Sequence, residues 1–362
     1  MNPHHFGRIF AATILVASVH HHATAQDDEF LNYVQDALTF SAQDDNVRIK
    51  VSGLVDLEYY SLPETSPGLI FTDEDSLWNP RLTLFLDGQI GPHFYLFAQS
   101  RVDRGFDPSK YDAQMRLDEF AIRLTPWEDG RFSLQAGQFA TVVGSWVHRH
   151  LSWDNPFVNA PLAYENLTGI WHYAPVKSPN QLLDWGHVPN KRRTKFGNGF
   201  YDKHLRLPMV WGPSYATGVS ASGKLGDFVY AVEAKNSSLA SAPESWPASE
   251  VGFEYPTVSG RFGYQPSPAW NLGVSGSTGP YLNPDLARPL APGTSLGDLR
   301  QSLVGFDISY AHHHWQIWGE IMASRFDVPT VGNADTVAYF VEAKYKFTPQ
   351  LYWRAPVEPA IL

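Results

Sequence analysis

Apolar and polar residues alternate along most of the chain. In the clearest stretch, 336–347, aliphatic and aromatic residues fill the odd positions, while Glu342, Lys344 and Lys346 lie at even positions. A period of two residues is that of a β-strand whose two faces meet different surroundings. Stretches of this kind predict twelve strands, at 47–60, 80–90, 94–104, 117–125, 132–137, 215–225, 228–235, 255–264, 270–277, 303–310, 315–324 and 336–347.

The stretch 117–137 predicts a hairpin around which the other strands are arranged. Glu119, Ala121 and Arg123 alternate with apolar neighbours. The sequence Pro-Trp-Glu-Asp-Gly at 126–130 then breaks the alternation as a tight turn does. Taken alone, this hairpin fits either a soluble antiparallel sandwich or a membrane β-barrel.

The connections between the strands separate these two architectures. Long connections alternate with short turns, which lie near Gly91, Pro126, Gly226, Pro266, His312 and Pro349. Barrels of the outer membrane have short turns at one end and long loops at the other. Aromatic residues flank nearly every short turn, where amphipathic rings favour the level of the lipid headgroups. We therefore predict an all-β fold, an antiparallel transmembrane β-barrel of about 14 to 18 strands in the complete protein.

The first 25 residues predict an export signal. Arg8 precedes the apolar run 9–19, which is too short to cross a bilayer as a helix. Ala23-Thr24-Ala25 follows as a small-residue cleavage site, so we expect the mature chain to begin at Gln26. An exported chain with strand-like periodicity is compatible with an outer membrane, because only helices and closed barrels satisfy the backbone in lipid.

The mature chain is expected to have two parts. Residues 26–46 are acidic and are predicted to be a periplasmic lead-in with a short helix at 29–39, followed by the barrel over 47–362. The chain has no Cys, which excludes disulfides and thiolate metal sites. Its formal charge of −10, which becomes −11 when Arg8 leaves with the signal, argues against a nucleic-acid partner.

The connection 138–214 is too long for an ordinary loop, which indicates a function or internal structure. It contains five Trp residues, too many for a disordered segment, so we expect it to fold inward and narrow the pore. His148 and His150 could pair on zinc, but no H-E-x-x-H motif or carboxylate triad accompanies them, and no metal or cofactor is predicted. The residues predicted to form the constriction are Arg149, Trp153, Asp154, Glu165, Lys191, Arg192 and Arg193.

Charged residues on the polar faces of the strands are predicted to line the pore. They are Lys50, Asp56, Glu58, Arg81, Arg101, Glu119, Arg123, Asp307, Glu320, Glu342 and Lys344. Rings of side-chain charge set the ion preference of a pore. The alternative for each residue is a structural network of ion pairs inside the barrel.

The hairpin from Leu117-Asp118-Glu119-Phe120-Ala121-Ile122 to Leu134-Gln135-Ala136-Gly137-Gln138-Phe139 resembles that of the phosphate-selective porin O and P group, within the Gram-negative outer-membrane porins. This resemblance implies a homotrimer of water-filled barrels in outer-membrane lipid, with a long loop folded inward. The chain departs from the group because it is acidic and shows no ladder of basic residues on one wall.

The expected function is a channel for passive diffusion of small hydrophilic solutes or ions. The alternatives are an uptake channel specific for phosphate, another anion or sugar, and a barrel enzyme. The Ser and His residues of the chain mostly lie in turns or in the long loop, so an enzyme is not predicted.

A thirteenth strand begins at Tyr352-Trp353, but two prolines follow it. Because single-chain bacterial barrels have an even number of strands, we expect either a truncated or frame-shifted C-terminus or an extra strand hidden in the long loop.

Overall fold

The computed structural model contains one curved antiparallel sheet with a long loop packed against its concave face. The structure describes residues 38–42, 46–61, 69, 76–103, 113–155, 160–171, 175–176, 178–182, 206–243, 246, 252–283, 290, 292–328, 331–348, 351–357 and 360–361. The predicted signal, most of the predicted lead-in with its helix, and the basic residues Lys191, Arg192 and Arg193 lie outside these ranges.

Fifteen strands of the described ranges belong to the sheet. They are β1 (Thr39–Ala42), β2 (Val47–Ser61), β3 (Ser76–Ile90), β4 (Phe94–Asp103), β5 (Gln114–Leu124), β6 (Ser133–Phe139), β7 (Ala216–Leu225), β8 (Phe228–Lys235), β9 (Thr257–Ser267), β10 (Trp270–Pro280), β11 (Arg300–His312), β12 (Trp315–Phe326), β13 (Ala334–Lys346), β14 (Tyr352–Val357) and β15 (Ala360–Ile361). β1 to β14 pair in chain order, each antiparallel to its neighbour, and β15 pairs with β13. Within the described residues, β1 and β14 are not paired with each other.

All twelve predicted strands are present, as β2 to β13, and the fragment at Tyr352 begins β14. Thr39–Ala42, which belong to the predicted lead-in, form the short strand β1. It pairs with β2 from Ala42↔Val47 to Thr39↔Lys50. The extra strand envisaged in the long loop is not seen in its described part, which contributes only an isolated bridge between Trp171 and Arg206.

The helices that lie wholly within the described residues are single turns. They are Val147–Arg149, Leu162–Glu165 and Pro179–Leu182 in the long loop, and Leu296–Asp298 before β11. Within the described ranges, no helix is long and apolar enough to cross a membrane.

The two faces of the sheet differ as the alternation predicts. On β13, Val337, Tyr339 and Val341 are exposed on the convex face, whereas Ala338 and Phe340 are buried on the concave face. Exposed rings flank the short turns on the convex face, including Trp127, Phe228, Trp270, Trp315 and Phe347. Tyr95, near the short turn at Gly91, faces inward, where its hydroxyl donates to Asp87.

Two bulges shift this alternation. Gln99 pairs with Glu119 and Ser100 pairs with Leu117, so Asp118 is an extra residue on β5. A bulge of this kind lets two consecutive side chains, Asp118 and Glu119, point inward.

The second bulge lies in β9, at a position where the sequence predicts a turn. Trp270 pairs with Ser267 and Leu272 with Tyr264, so Pro266 lies within β9 rather than in the turn. A bulge tolerates proline because the residue there needs no ladder hydrogen bond.

The hydrophobic core lies between the concave face and the long loop. In one cluster, Val143, Trp146 and Tyr164 of the loop pack with Met322 of β12 and Phe340 of β13. A second cluster, nearer the long connections, joins the loop to residues such as Tyr281 and Phe326. The loop contacts strands from β3, through Phe85 and Trp153, to β14, so the sheet curves around it.

Candidate pore constriction

The first segment of the long loop crosses the interior and is held by carboxylates of the sheet. Glu119 on β5 accepts a hydrogen bond from the Ala140 backbone N–H, with N and Oε1 2.7 Å apart. Glu233 on β8 accepts from the Thr141 hydroxyl at 2.6 Å and from the Val142 N–H at 3.2 Å. Buried backbone donors need such acceptors, and bonds to a charged acceptor are the stronger kind.

Glu320 on β12 holds the far end of this segment. Its Oε2 accepts from the Ser145 backbone N–H at 2.8 Å and from the Ser145 hydroxyl at 3.1 Å. Its Oε1 accepts from the hydroxyl of Tyr164, which comes from the second part of the loop. Glu119, Glu233 and Glu320, called here the carboxylate anchors, therefore attach the loop to three separated strands.

A glycine lets the loop follow this path. Gly144 has φ of +75°, and its N–H donates to Ser275 Oγ on β10 at 3.0 Å. A Cβ at this position would collide with Tyr164, Glu320 and Met322. The close approach of backbone to wall is thus possible only without a side chain.

Ion pairs neutralise the wall on the half of the sheet nearer the long connections. Arg81 binds Asp56, with Nε and Oδ2 3.1 Å apart, and also contacts Glu58. Asn79 adds a hydrogen bond of 2.8 Å to Glu58 Oε2. Arg81, Asp56 and Glu58, all predicted to line the pore, are thus joined in one network of ion pairs.

A second network forms at the bulge. Arg101 Nε lies 3.3 Å from Asp103 Oδ2 and 3.1 Å from Asp118 Oδ2. Arg116 Nη2 lies 2.9 Å from Asp103 Oδ1. Two arginines and two aspartates thus alternate in one cluster, which the bulge completes by turning Asp118 inward.

A third network attaches the loop near β14. Arg149 of the loop and Arg354 of β14 lie on the Trp318 ring, with guanidinium carbons 4.2 Å and 5.2 Å from its centroid. Both arginines pair with Glu342. Arg354 Nη1 also donates to the backbone oxygen of Asp154 at 2.8 Å.

The half of the sheet nearer the short turns encloses an open space instead. A cavity of about 740 Å³ lies beneath the anchored segment. Its lining includes Phe85, Asp87, Tyr95, Phe97, Arg123 and Gln135 on one side and Ser220, Lys224, Tyr230 and Arg261 on the other. We call this space the vestibule.

Basic residues of the vestibule half have few carboxylate partners. Register places Lys50 on the same side of the sheet as Asp87. Lys344 Nζ lies 3.9 Å from the centroid of the Tyr352 ring. Among the described residues, Lys50, Arg123, Lys224 and Lys344 form no ion pair within 4.0 Å. Arg261 differs, because both its Nε and Nη2 bind Asp307, at 3.0 and 2.6 Å.

Two titratable groups of the loop are held in their neutral forms. Burial lowers the pKa of His150 to about 4. Its Nδ1 lies 2.6 Å from the Val147 oxygen and its Nε2 lies 2.8 Å from the Tyr215 hydroxyl, which fits a neutral ring protonated at Nδ1. Burial, followed by the nearby Glu320 carboxylate, raises the pKa of Tyr164 well above its usual range.

The four predicted constriction residues that the structure describes make separate contacts. Arg149 and Asp154 attach the loop to β13 and β14, Trp153 packs against Phe85, and Glu165 is buried and accepts from Ala160 N–H at 2.7 Å within the loop. The prediction for Lys191, Arg192 and Arg193 concerns residues outside the described ranges. The pore-lining role of the predicted wall residues remains a prediction.

Sequence reasoning omitted Glu233, Lys235, Arg261, Arg116 and Asp118 from the candidate residues. Alternation on β8 and β9 could have identified the first three, because each occupies a concave-face position. Asp118 carried no such signal, since its direction depends on a bulge. No cluster of three potential metal ligands, around His148 and His150 or elsewhere, occurs in the described part of the chain.

Comparisons with known proteins give the following. No protein-family model matches the chain, and no curated protein matches it. An anion-selective porin from Comamonas acidovorans is similar in structure, with 11% identity, 86% of this chain and 78% of that chain covered, and a TM-score of 0.49. OmpF of Salmonella typhi, solved with daunomycin, shows 11% identity, coverages of 89% and 81%, and a TM-score of 0.49. The outer-membrane channel DcaP of Acinetobacter baumannii shows 11% identity, coverages of 88% and 81%, and a TM-score of 0.45.

Proposed function

We propose that the protein is an outer-membrane porin, a water-filled channel for passive diffusion of small hydrophilic solutes and ions. The observation that carries this proposal is the placement of the long loop. Glu119, Glu233 and Glu320 hold the loop on the concave face, and the vestibule remains open beside it. A polar interior narrowed by an anchored loop, inside a sheet with an apolar outer face, is the arrangement of a diffusion channel.

The location and assembly belong to the same proposal. The apolar convex face and its aromatic residues fit a lipid bilayer, and the N-terminal sequence fits export to a Gram-negative outer membrane. The sequence resemblance to trimeric porins supports a homotrimer. The protein acts without a cofactor and without catalysis in this proposal.

Planar-bilayer recording of the purified, folded protein tests the function. We expect stepwise increases in conductance, and swelling of protein-containing liposomes in sugars and amino acids below a size limit. Phosphate and sugar titrations of the current separate a general channel from a solute-specific one, because only a specific solute blocks at saturating occupancy. Folded protein that inserts into bilayers without conductance steps would refute the proposal, and boiled protein is the control.

A further inference from the structure

The arginines inside the sheet differ in their ion pairing. On the half nearer the long connections, Arg81, Arg101 and Arg116 have carboxylate partners. Arg354, which pairs in register with Lys344 near a short turn, shares Glu342 with Arg149. On the vestibule half, Arg123 faces the cavity without an ion-pair partner among the described residues. A guanidinium that faces a cavity and forms no ion pair can bind an anion from solution.

The Arg123 side chain is held in a defined orientation. Gln135 Oε1 accepts from Arg123 Nε at 3.0 Å and from Nη2 at 2.8 Å. The guanidinium carbon also lies 5.7 Å from the centroid of the Tyr95 ring and 5.8 Å from that of Phe97. Gln135 therefore occupies one edge of the guanidinium, and the edge formed by Nη1 and Nη2 remains for another acceptor.

These contacts follow directly from strand register. Tyr95 pairs with Arg123, and Arg123 pairs with Gln135, so the three side chains form one row across β4, β5 and β6. Asp87 also lines the cavity, but its carboxylate accepts from the Tyr95 hydroxyl and it lies opposite Lys50. The carboxylates of Asp87 and Glu119, which both line the cavity, form no ion pair with Arg123 within 4.0 Å.

The rest of the lining limits the class of solute. Phe85, Phe97 and Phe139 present rings to the same cavity. A volume of about 740 Å³ is within the range of small-molecule sites. Aromatic surface favours the planar apolar body of a solute, and a guanidinium edge favours its carboxylate.

We propose that the vestibule binds small carboxylates with a planar apolar body, the carboxylate on Arg123 and the body among the surrounding rings. This inference rests on the proposed channel function and names its preferred class of solute. It makes Arg123 a binding residue and Gln135 the residue that positions it.

Saturation-transfer NMR on the folded protein in detergent tests the inference with benzoate, benzamide, benzylamine and inorganic phosphate as probes. We expect saturable binding of benzoate, at least about tenfold tighter than that of the other three probes. This difference corresponds to one charge-assisted hydrogen-bonded pair. Equal binding of benzoate and benzamide would overturn the proposal, and so would phosphate binding equal to that of benzoate.

Arg123→Gln should weaken benzoate binding by about tenfold while leaving benzamide binding unchanged. Arg131→Gln is the matched control, because Arg131 lies in the adjacent turn, is half exposed and pairs with Asp129. Unchanged benzoate affinity in folded Arg123→Gln would contradict the inference. Benzoate binding does not require conduction. Benzoate binding without conductance would therefore refute only the proposed channel function. Conductance without Arg123-dependent binding would refute only the proposed carboxylate site.

Discussion

At position 144 the loop backbone adopts a φ of +75° directly against Tyr164, Glu320 and Met322. Gly144→Ala would add both the strain of a left-handed residue and a steric overlap. We expect the variant to lose about 2–4 kcal/mol of loop docking stability. Protease cleavage of the loop in the folded protein, followed with time, measures this loss.

Gly226→Ala is the control for the effect of φ alone. Gly226 has φ of +61° in a short turn, and nothing lies within 4 Å of a Cβ placed there. We expect a cost of about 1 kcal/mol and no faster loop cleavage. Equal cleavage rates in Gly144→Ala and the unmodified protein would show that the segment does not pack as described.

His150 makes loop docking sensitive to acid. Its pKa is about 4 in the folded protein and 6.5 when exposed, so the neutral form is stabilised by folding. The contribution of His150 to the stability of loop docking is therefore complete above pH 6.5. It is lost as the pH falls toward 4, by at most about 1.4 kcal/mol per pH unit. Protonated Nε2 can no longer accept from Tyr215.

Loop cleavage measured from pH 7 to pH 4 tests this expectation. Cleavage should accelerate below pH 6.5, and His150→Gln should remove that part of the pH dependence. A His150→Gln variant with the original pH profile would assign the effect to another group.

Residue types on the wall could be predicted, but their partners could not. Alternation identified Glu119 and Glu320 as inward residues, yet it could not show that each accepts a backbone N–H of the loop. Those contacts depend on where the loop lies, which no local pattern encodes. Arg123 and Arg81 likewise have the same pattern, and only the structure distinguishes the cavity-facing guanidinium from the paired one.

At the scale of the elements, the hairpin of β5 and β6 provides the clearest test of which face of the sheet meets lipid. Gln135 lines the vestibule, whereas the adjacent Leu134 is exposed on the convex face. The chain has no Cys, so Gln135→Cys and Leu134→Cys would each carry a single thiol. In lipid bilayers a water-soluble maleimide should react with the first at least about tenfold faster, because lipid excludes the reagent from the second.

If Leu134→Cys reacted faster than Gln135→Cys, the assignment of the two faces of the hairpin would be contradicted. The same pair measured in denaturant is the control and should show equal rates. Neither substitution alters a residue that anchors the loop, so an effect on folding is not expected from the structure.

The twelve strands could be predicted because each has an apolar face toward one medium and a polar face toward another. The exceptions are local. Asp118 and Pro266 lie at bulges, and a bulge depends on how two strands pair rather than on either sequence alone. β1, with only four residues, is too short for its alternation to stand out.

At the scale of the whole molecule, the carboxylate anchors hold the loop on the concave face. Two of them, Glu233 and Glu320, are buried and accept backbone donors from the loop at 3.2 and 2.8 Å. Their replacement by glutamine removes the charge that strengthens these bonds. The loop should then leave the concave face more often and open the interior.

Single-channel conductance of the double variant Glu233→Gln/Glu320→Gln measures this effect. Asp56→Asn/Asp307→Asn is the charge-matched control, because these two inward carboxylates pair with arginines of the wall and not with the loop. We predict a larger unit conductance for the anchor variant than for both the control and the unmodified protein. Equal conductance of the anchor variant and the control, with both folded, would contradict the claim that the anchored loop constricts a pore.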